Sequence, residues 1–179
     1  MMISGGKSGK RQVDKYLKVL EGSNLKLSNS GTYRKYNKNG TVCNMGKFQM
    51  PDELVLSYSL SGKERPDIDT SASTEYHFQR PPLPRSGGYS TEKPLGLMEA
   101  IITRTTKRGE KILDLFAGSG SSMVAALNLG RRIHGLEITS KAINQFILPK
   151  MREFESMLPS PACVQVSMPA RQTTMFDFL

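Results

Sequence analysis

The chain has 179 residues, with 25 Lys and Arg against 16 Asp and Glu, a formal net charge of +9. That length fits one ordinary domain or a small domain with arms. Two cysteines, Cys43 and Cys163, and two histidines, His77 and His134, argue against a disulfide framework or a zinc site. No apolar run approaches the roughly 20 residues needed to cross a membrane, and the start, Met1 to Ser8, lacks the apolar core of a secretory signal. A reduced, intracellular protein is expected. The basic excess, most of it before Arg108, suits a polyanion, with nucleic acid as the first expectation and a merely solvated basic surface as the alternative.

In chain order, residues 1–90 are polar, basic and loop-rich. Val13 to Leu20 predicts a short amphipathic helix stopped at Gly22. Ser28 to Gly46, full of Asn, Gly, Lys and Tyr, predicts loops or short hairpins, and Glu53 to Leu60 a strand. Residues 61–91 are expected to be mostly irregular, with Arg80-Pro81-Pro82-Leu83-Pro84 and Gly87-Gly88 as breakers. Gly5-Gly6-Lys7-Ser8-Gly9-Lys10 lacks the spacing and final Ser/Thr of a phosphate-binding loop and reads as a flexible basic start.

The pattern changes at Thr91. Pro94 suits a first helical turn, and Leu95, Leu97, Met98, Ile101 and Ile102 carry helical spacing to about Thr105. Ile112 to Phe116 reads as a buried strand and Ser121 to Leu129 as a helix capped by Gly130. Ile133 to Glu137 reads as a second strand. Thr139 opens a long helix to about Met157, apolar at Ala142, Ile143, Phe146, Ile147 and Phe154, with a kink expected at Pro149. Residues 91–158 thus form a strand–turn–helix–strand unit, and 159–179 a proline-rich tail with a weak third strand at Cys163 to Ser167.

Asp114-Leu115-Phe116-Ala117-Gly118-Ser119-Gly120 stands where the first strand turns into a helix, and glycine suits a backbone that approaches a ligand. Asp114 offers acceptors to an ammonium group, and Glu137, ending the next strand, offers them to ribose hydroxyls. The turn is not Gly-x-Gly-x-x-Gly, and a pyrophosphate would be repelled by Asp114. A cationic, phosphate-free cofactor would not be, and S-adenosyl-L-methionine fits that polarity. The plain alternative is a turn that serves strand-to-helix packing only.

Together, Thr91-Glu92-Lys93-Pro94, the helix after it, Ile112 to Gly120 and Gly130-Arg131-Arg132-Ile133-His134-Gly135-Leu136-Glu137-Ile138 resemble the DNA amino-methyltransferases that modify adenine N6 or cytosine N4. The Lys-Pro helix directly ahead of the cofactor strand is similar to the circularly permuted group, whose catalytic half comes first and cofactor half last. The resemblance implies an α/β, Rossmann-like methyltransferase sheet, in part, with helices on both faces. It implies that Asp114 holds the methionine amino group, that Phe116, Gly118 and Gly120 shape the pocket, and that Glu137 holds the ribose. It further implies that Ile138 lies against the adenine, and Thr91 and Lys93 near the methionine carboxylate. Asp114-Leu115-Phe116 and Ser121-Ser122 stand where the family often has Asp-Pro-Phe and Thr-Thr.

The family's Asp/Asn/Ser-Pro-Pro-aromatic tetrapeptide, which accepts hydrogen bonds from the target amine and stacks on a flipped base, is absent from the sequence. The only Pro-Pro is Arg80-Pro81-Pro82-Leu83; its Arg cannot accept a hydrogen bond and its Leu stacks poorly. The expectation is a split enzyme. This chain would supply S-adenosyl-L-methionine binding and, in residues 1–90, DNA recognition, while a second chain supplies the tetrapeptide. The alternative is a non-catalytic remnant or accessory DNA-binding protein. At the C-terminus, Gln172, Met175, Phe176 and Phe178 resemble a peptide that docks on replication sliding clamps as a single helical turn, with packing back on the domain as the equal alternative.

Overall fold

The computed structural model describes residues 2–5, 18, 20–42, 52–63, 75–79, 81, 88–157, 165–167 and 174–178. The chain divides into two units, Met1–Arg80 and Pro81–Leu179.

The first unit is a four-stranded sheet in the order β1-β3-β2-β4, with β1 Met2–Gly5, β2 Lys26–Tyr36, β3 Asp52–Ser59 and β4 Glu75–Gln79. β3 runs antiparallel to both β1 and β2, and β4 lies parallel to β2. Tyr33, Val55 and Leu56 are buried between the strands. Charges on this sheet answer one another. Lys35 pairs with the buried Glu53. Arg34 gives Asp52 two hydrogen bonds of 3.0 Å, and that carboxylate holds the guanidinium above its ordinary pKa. Tyr36 Oη lies 2.9 Å from His77 Nδ1, with Glu75 on the other side of the ring.

Much of this differs from the sequence expectation. The stretch expected to be loops or short hairpins over Ser28–Gly46 begins inside the 11-residue β2, which takes in its residues from Ser28 to Tyr36. Beyond it comes a tight hairpin, where Asn37 N–H donates to Thr41 O at 2.8 Å and Tyr36 bridges Val42. β4 interrupts the segment expected to be irregular. Polar residues extend here because neighbouring strands satisfy their backbone, whatever their own preference. Of the helix expected over Val13–Leu20, the described residues Lys18 and Leu20 are helical.

The second unit is α/β, as expected. Its strands are β5 Lys111–Asp114, β6 Arg132–Glu137, β7 Gln165–Ser167 and β8 Thr174–Phe178, in the order β5-β6-β8-β7. β5 and β6 are parallel, with Asp114 opposite Gly135 at their C-terminal ends. The tail adds two antiparallel strands, β8 against β6 and β7 against β8. The helices are α1 Leu95–Thr105, α2 Ser121–Asn128, α3 Ser140–Ala142 and α4 Leu148–Ser156. A π-helical turn, Ile143–Ile147, joins α3 to α4 and closes with Leu148 N–H on Ile143 O. The break expected at Pro149 takes this form. Proline has no N–H to give and crowds the carbonyl four residues back, and a widened turn just ahead relieves both.

Leu97, Ile101 and Ile102 of α1 meet Met123, Ala125 and Ala126 of α2 in the core, with Ile133 of β6 and Ile147 beneath. Gly135 is fixed by packing, since a Cβ there would lie 2.7 Å from Met123 Sδ. Arg131 ties off two helix ends: its guanidinium donates to Thr106 O at 2.6 Å and to Leu129 O at 2.7 Å. Carbonyls at helix ends have no partner inside the helix, so a cation there both bonds them and meets the negative end of the dipole. Among the described residues no helix is long and apolar enough to cross a membrane.

Candidate cofactor site

β5 ends at Asp114, and the chain needs only six residues, Leu115 to Gly120, to enter α2. Two glycines make that possible. Gly118 has φ +55° and Gly120 φ +78°, both in the left-handed region that side chains rarely adopt. Gly120 is constrained twice over, because a Cβ would stand 3.2 Å from Ile147 Cγ1. The turn closes on itself through Gly120 N–H to Ala117 O at 2.8 Å and is tied to β6 through Ala117 N–H to Leu136 O at 2.9 Å.

Both carboxylates singled out in the sequence are held by backbone N–H groups. Glu137 accepts from Gly118 N–H at 2.9 Å on one oxygen and from Thr139 N–H at 2.8 Å on the other. It therefore clasps the loop after β5 to the loop after β6. Asp114 accepts from Phe116 N–H at 3.0 Å and from the Ser122 hydroxyl, joining the strand end to the first turn of α2. A carboxylate has about four lone-pair sites, so each keeps capacity for a ligand. Phe116 and Ile138, one in each loop, are 79% and 85% exposed. Two large apolar side chains bared beside two fixed carboxylates suit a ligand with a flat ring and several polar hydrogens. The place is the C-terminal end of parallel strands, where open α/β sheets bind ligands.

Asp114, Phe116, Gly118, Gly120, Glu137 and Ile138 are thus brought together by β5, β6 and their loops. Thr91 and Lys93 precede α1, where Lys93 Nζ reaches Thr91 O at 3.5 Å. Lys93 lines a groove of about 470 Å³ together with Leu95, Val124 and Phe154; none of the six residues at the strand ends lines it. From that segment it is Tyr89 that approaches the glycine turn, its ring 3.5 Å from where a Cβ on Gly118 would be and edge-on to Phe146. Met175, Phe176 and Phe178 lie in β8, extended and not in the expected helical turn, while Gln172 lies outside the described residues. Sequence reasoning missed Tyr89, Ser122 and Lys150. Only Ser122 carried a local signal, as a hydroxyl in the first turn after the glycines. Among the described residues no cluster of His, Cys, Asp and Glu could hold a metal ion.

A glycine turn between parallel strands, with an acid at each strand end, defines the class of nucleotide-cofactor-binding α/β proteins. The particular family follows from comparison: the N6_N4_Mtase model, DNA methylase, matches residues 1–148, and the chain belongs to that family. The chain is 40% identical over 76 residues to the Type II methyltransferase M2.DpnII of Streptococcus pneumoniae, covering 42% of this chain and 26% of that protein. To the Type II methyltransferase M2.LlaDCHI of Lactococcus lactis subsp. cremoris it is 36% identical over 85 residues, 48% of this chain and 29% of that one. It spans between a quarter and a third of the length of these relatives. The fold is shared with the M1.HpyAVI-SAM complex, at a TM-score of 0.60 and 20% identity over 86% of this chain and 73% of that chain. It is shared also with the cytosine-N4-specific PvuII DNA methyltransferase, at a TM-score of 0.64 and 13% identity over 80% and 60%.

Proposed function

We propose that this chain binds S-adenosyl-L-methionine at the ends of β5 and β6. It would be the cofactor-binding and DNA-recognition part of a DNA amino-methyltransferase acting on adenine N6 or cytosine N4. The observation that carries the reading is the pair of carboxylates, Asp114 and Glu137, fixed by backbone N–H groups on either side of the glycine turn. Family membership and the M1.HpyAVI-SAM complex support it.

When bound, the cofactor supplies an electrophilic methyl group on a sulfonium. The chain's own residues bind and orient it. Glu137 accepts from the ribose hydroxyls, already aimed by Gly118 and Thr139. Asp114 accepts from the ammonium and adds a negative field that suits a cation and opposes a phosphate. Phe116 and Ile138 cover the adenine and exclude water. Because the two carboxylates are placed before binding, little ordering entropy remains to oppose their part in it.

The acceptor amine is held elsewhere. The sequence contains no Asp-Pro-Pro-Tyr-type tetrapeptide. β5 has no neighbour on its outer edge among the described residues, and Leu113 and Leu115 are 61% and 53% exposed. Parallel strands are ordinarily covered on both sides. These features favour a second polypeptide that completes the sheet and carries the tetrapeptide. The chain alone is then expected to bind S-adenosyl-L-methionine weakly or not at all and to leave DNA unmethylated, and with a complementing chain binding is expected and is lost in Asp114→Ala. Tritium transfer from S-adenosyl-L-methionine to DNA by the isolated chain overturns the split-enzyme part. Absence of binding even with a complementing chain overturns the whole and favours a non-catalytic remnant.

For the tail, pairing of β8 with β6 favours a structural strand over a free clamp-binding peptide. Deleting 171–179 is expected to lower the melting temperature. Loss of clamp capture in a pull-down with unchanged melting would instead restore the clamp reading.

A further inference from the structure

Lys150, on α4, belongs to no sequence motif. Its ammonium donates to the carbonyl of Ser119 at 3.0 Å and pairs with Glu92, ahead of α1. Ser119 is almost fully buried in the middle of the glycine turn. The peptide unit between Ser119 and Gly120 is consequently gripped at both ends: its N–H by Ala117 O at 2.8 Å, its C=O by Lys150. A peptide between residues at or next to positive φ can flip at small steric cost when glycine follows it. A charge-assisted bond to its oxygen opposes that flip, and such bonds are about twice as strong as neutral ones.

From this geometry we infer that Lys150 is a positioning residue for the cofactor, locking the Ser119–Gly120 peptide so that the glycine turn is preformed for its ligand. The inference rests on the S-adenosyl-L-methionine reading for its ligand, though not for the locking itself. The π turn Ile143–Ile147 is part of the device. It lets the helix pass Pro149 while Ile143, Ile147 and Met151 stay on the buried face, so that Lys150 emerges beside Ser119. Glu92 plays a different part: it pairs with the ammonium and anchors the segment before α1, without touching the turn.

The test compares K150M, K150R and E92Q in the full chain by two readouts. Amide hydrogen exchange at Gly120 reports the turn with no ligand present. Calorimetric titration with S-adenosyl-L-methionine reports the site. K150M should speed exchange at Gly120 and weaken binding, each about tenfold, while K150R and E92Q stay within about twofold of the parent. If K150M and E92Q lose affinity and melting temperature in parallel, the pair is merely structural and the inference fails. If K150M leaves Gly120 exchange unchanged, it also fails. A parent chain that binds no S-adenosyl-L-methionine even with a complementing chain removes the ligand assignment, and the exchange comparison still decides whether Lys150 locks the turn.

Discussion

Two pairs of acidic side chains, one pair in each unit, are satisfied in opposite ways. In the first, Asp52 and Glu53 are matched by Arg34 and Lys35 on the neighbouring strand, so that side chain answers side chain. In the second, Asp114 and Glu137 are matched by backbone N–H groups of the loops that follow their strands, with the Ser122 hydroxyl also on Asp114. The more exposed Arg34–Asp52 pair contributes little beyond local sheet pairing, while the more buried Lys35–Glu53 pair must offset the cost of taking both charges out of water. A carboxylate satisfied by backbone is fixed in direction and keeps lone pairs to offer. The first arrangement ties strand to strand, and the second leaves acceptors for a ligand.

The sharpest way to break this contrast is Glu137→Ala. It is expected to weaken S-adenosyl-L-methionine binding roughly a hundredfold, since it removes charged acceptors for the ribose and releases Gly118 and Thr139 together. Calorimetry that shows only a twofold loss would place the ligand elsewhere. Next comes Gly120→Ala, expected to cost about 1–2 kcal/mol of stability for a side chain at positive φ, with more added by the contact to Ile147. Gly120→Asn, which tolerates that φ better, separates conformation from crowding in a denaturant titration. Arg131→Met should cost about 1–2 kcal/mol by leaving the carbonyls of Thr106 and Leu129 without their donor. At the small end, Arg34→Met should leave the thermal melt of the chain unchanged within error. A measurable drop there would mean that the first unit's surface pairs act as a network.

The cofactor half was legible because its signals are local. α1, β5, α2 and β6 each carry their own period, and Gly118, Gly120 and Gly130 mark the joints within a few residues. The first unit was not legible for the opposite reason. β2 runs through Ser28, Asn29, Ser30 and Gly31, residues with poor strand preference, and is extended because β3 and β4 pair with it from distant parts of the chain. For Met175 to Phe178 a docking peptide and packing on the domain stood as equal alternatives, because nothing in its composition shows that β6 offers it an edge. Asp114 and Glu137 could be picked from spacing and type. Tyr89 and Lys150 could not, because their approach to the turn depends on helix packing and on the widened turn before Pro149.

That widened turn has a consequence for how the gene can change length. A π turn is a helix that has absorbed one residue too many, and the residues after it keep the angular phase of a helix one residue shorter. Losing a single codon within 143–147 is therefore expected to leave the later side chains, Lys150 included, facing as they do now, at the expense of placing Pro149 inside a regular helix. The same loss just after the turn would swing everything beyond it by about 100° around the axis. The helix thus contains one short slot where a single deletion keeps the later side chains in phase, directly beside positions where it does not.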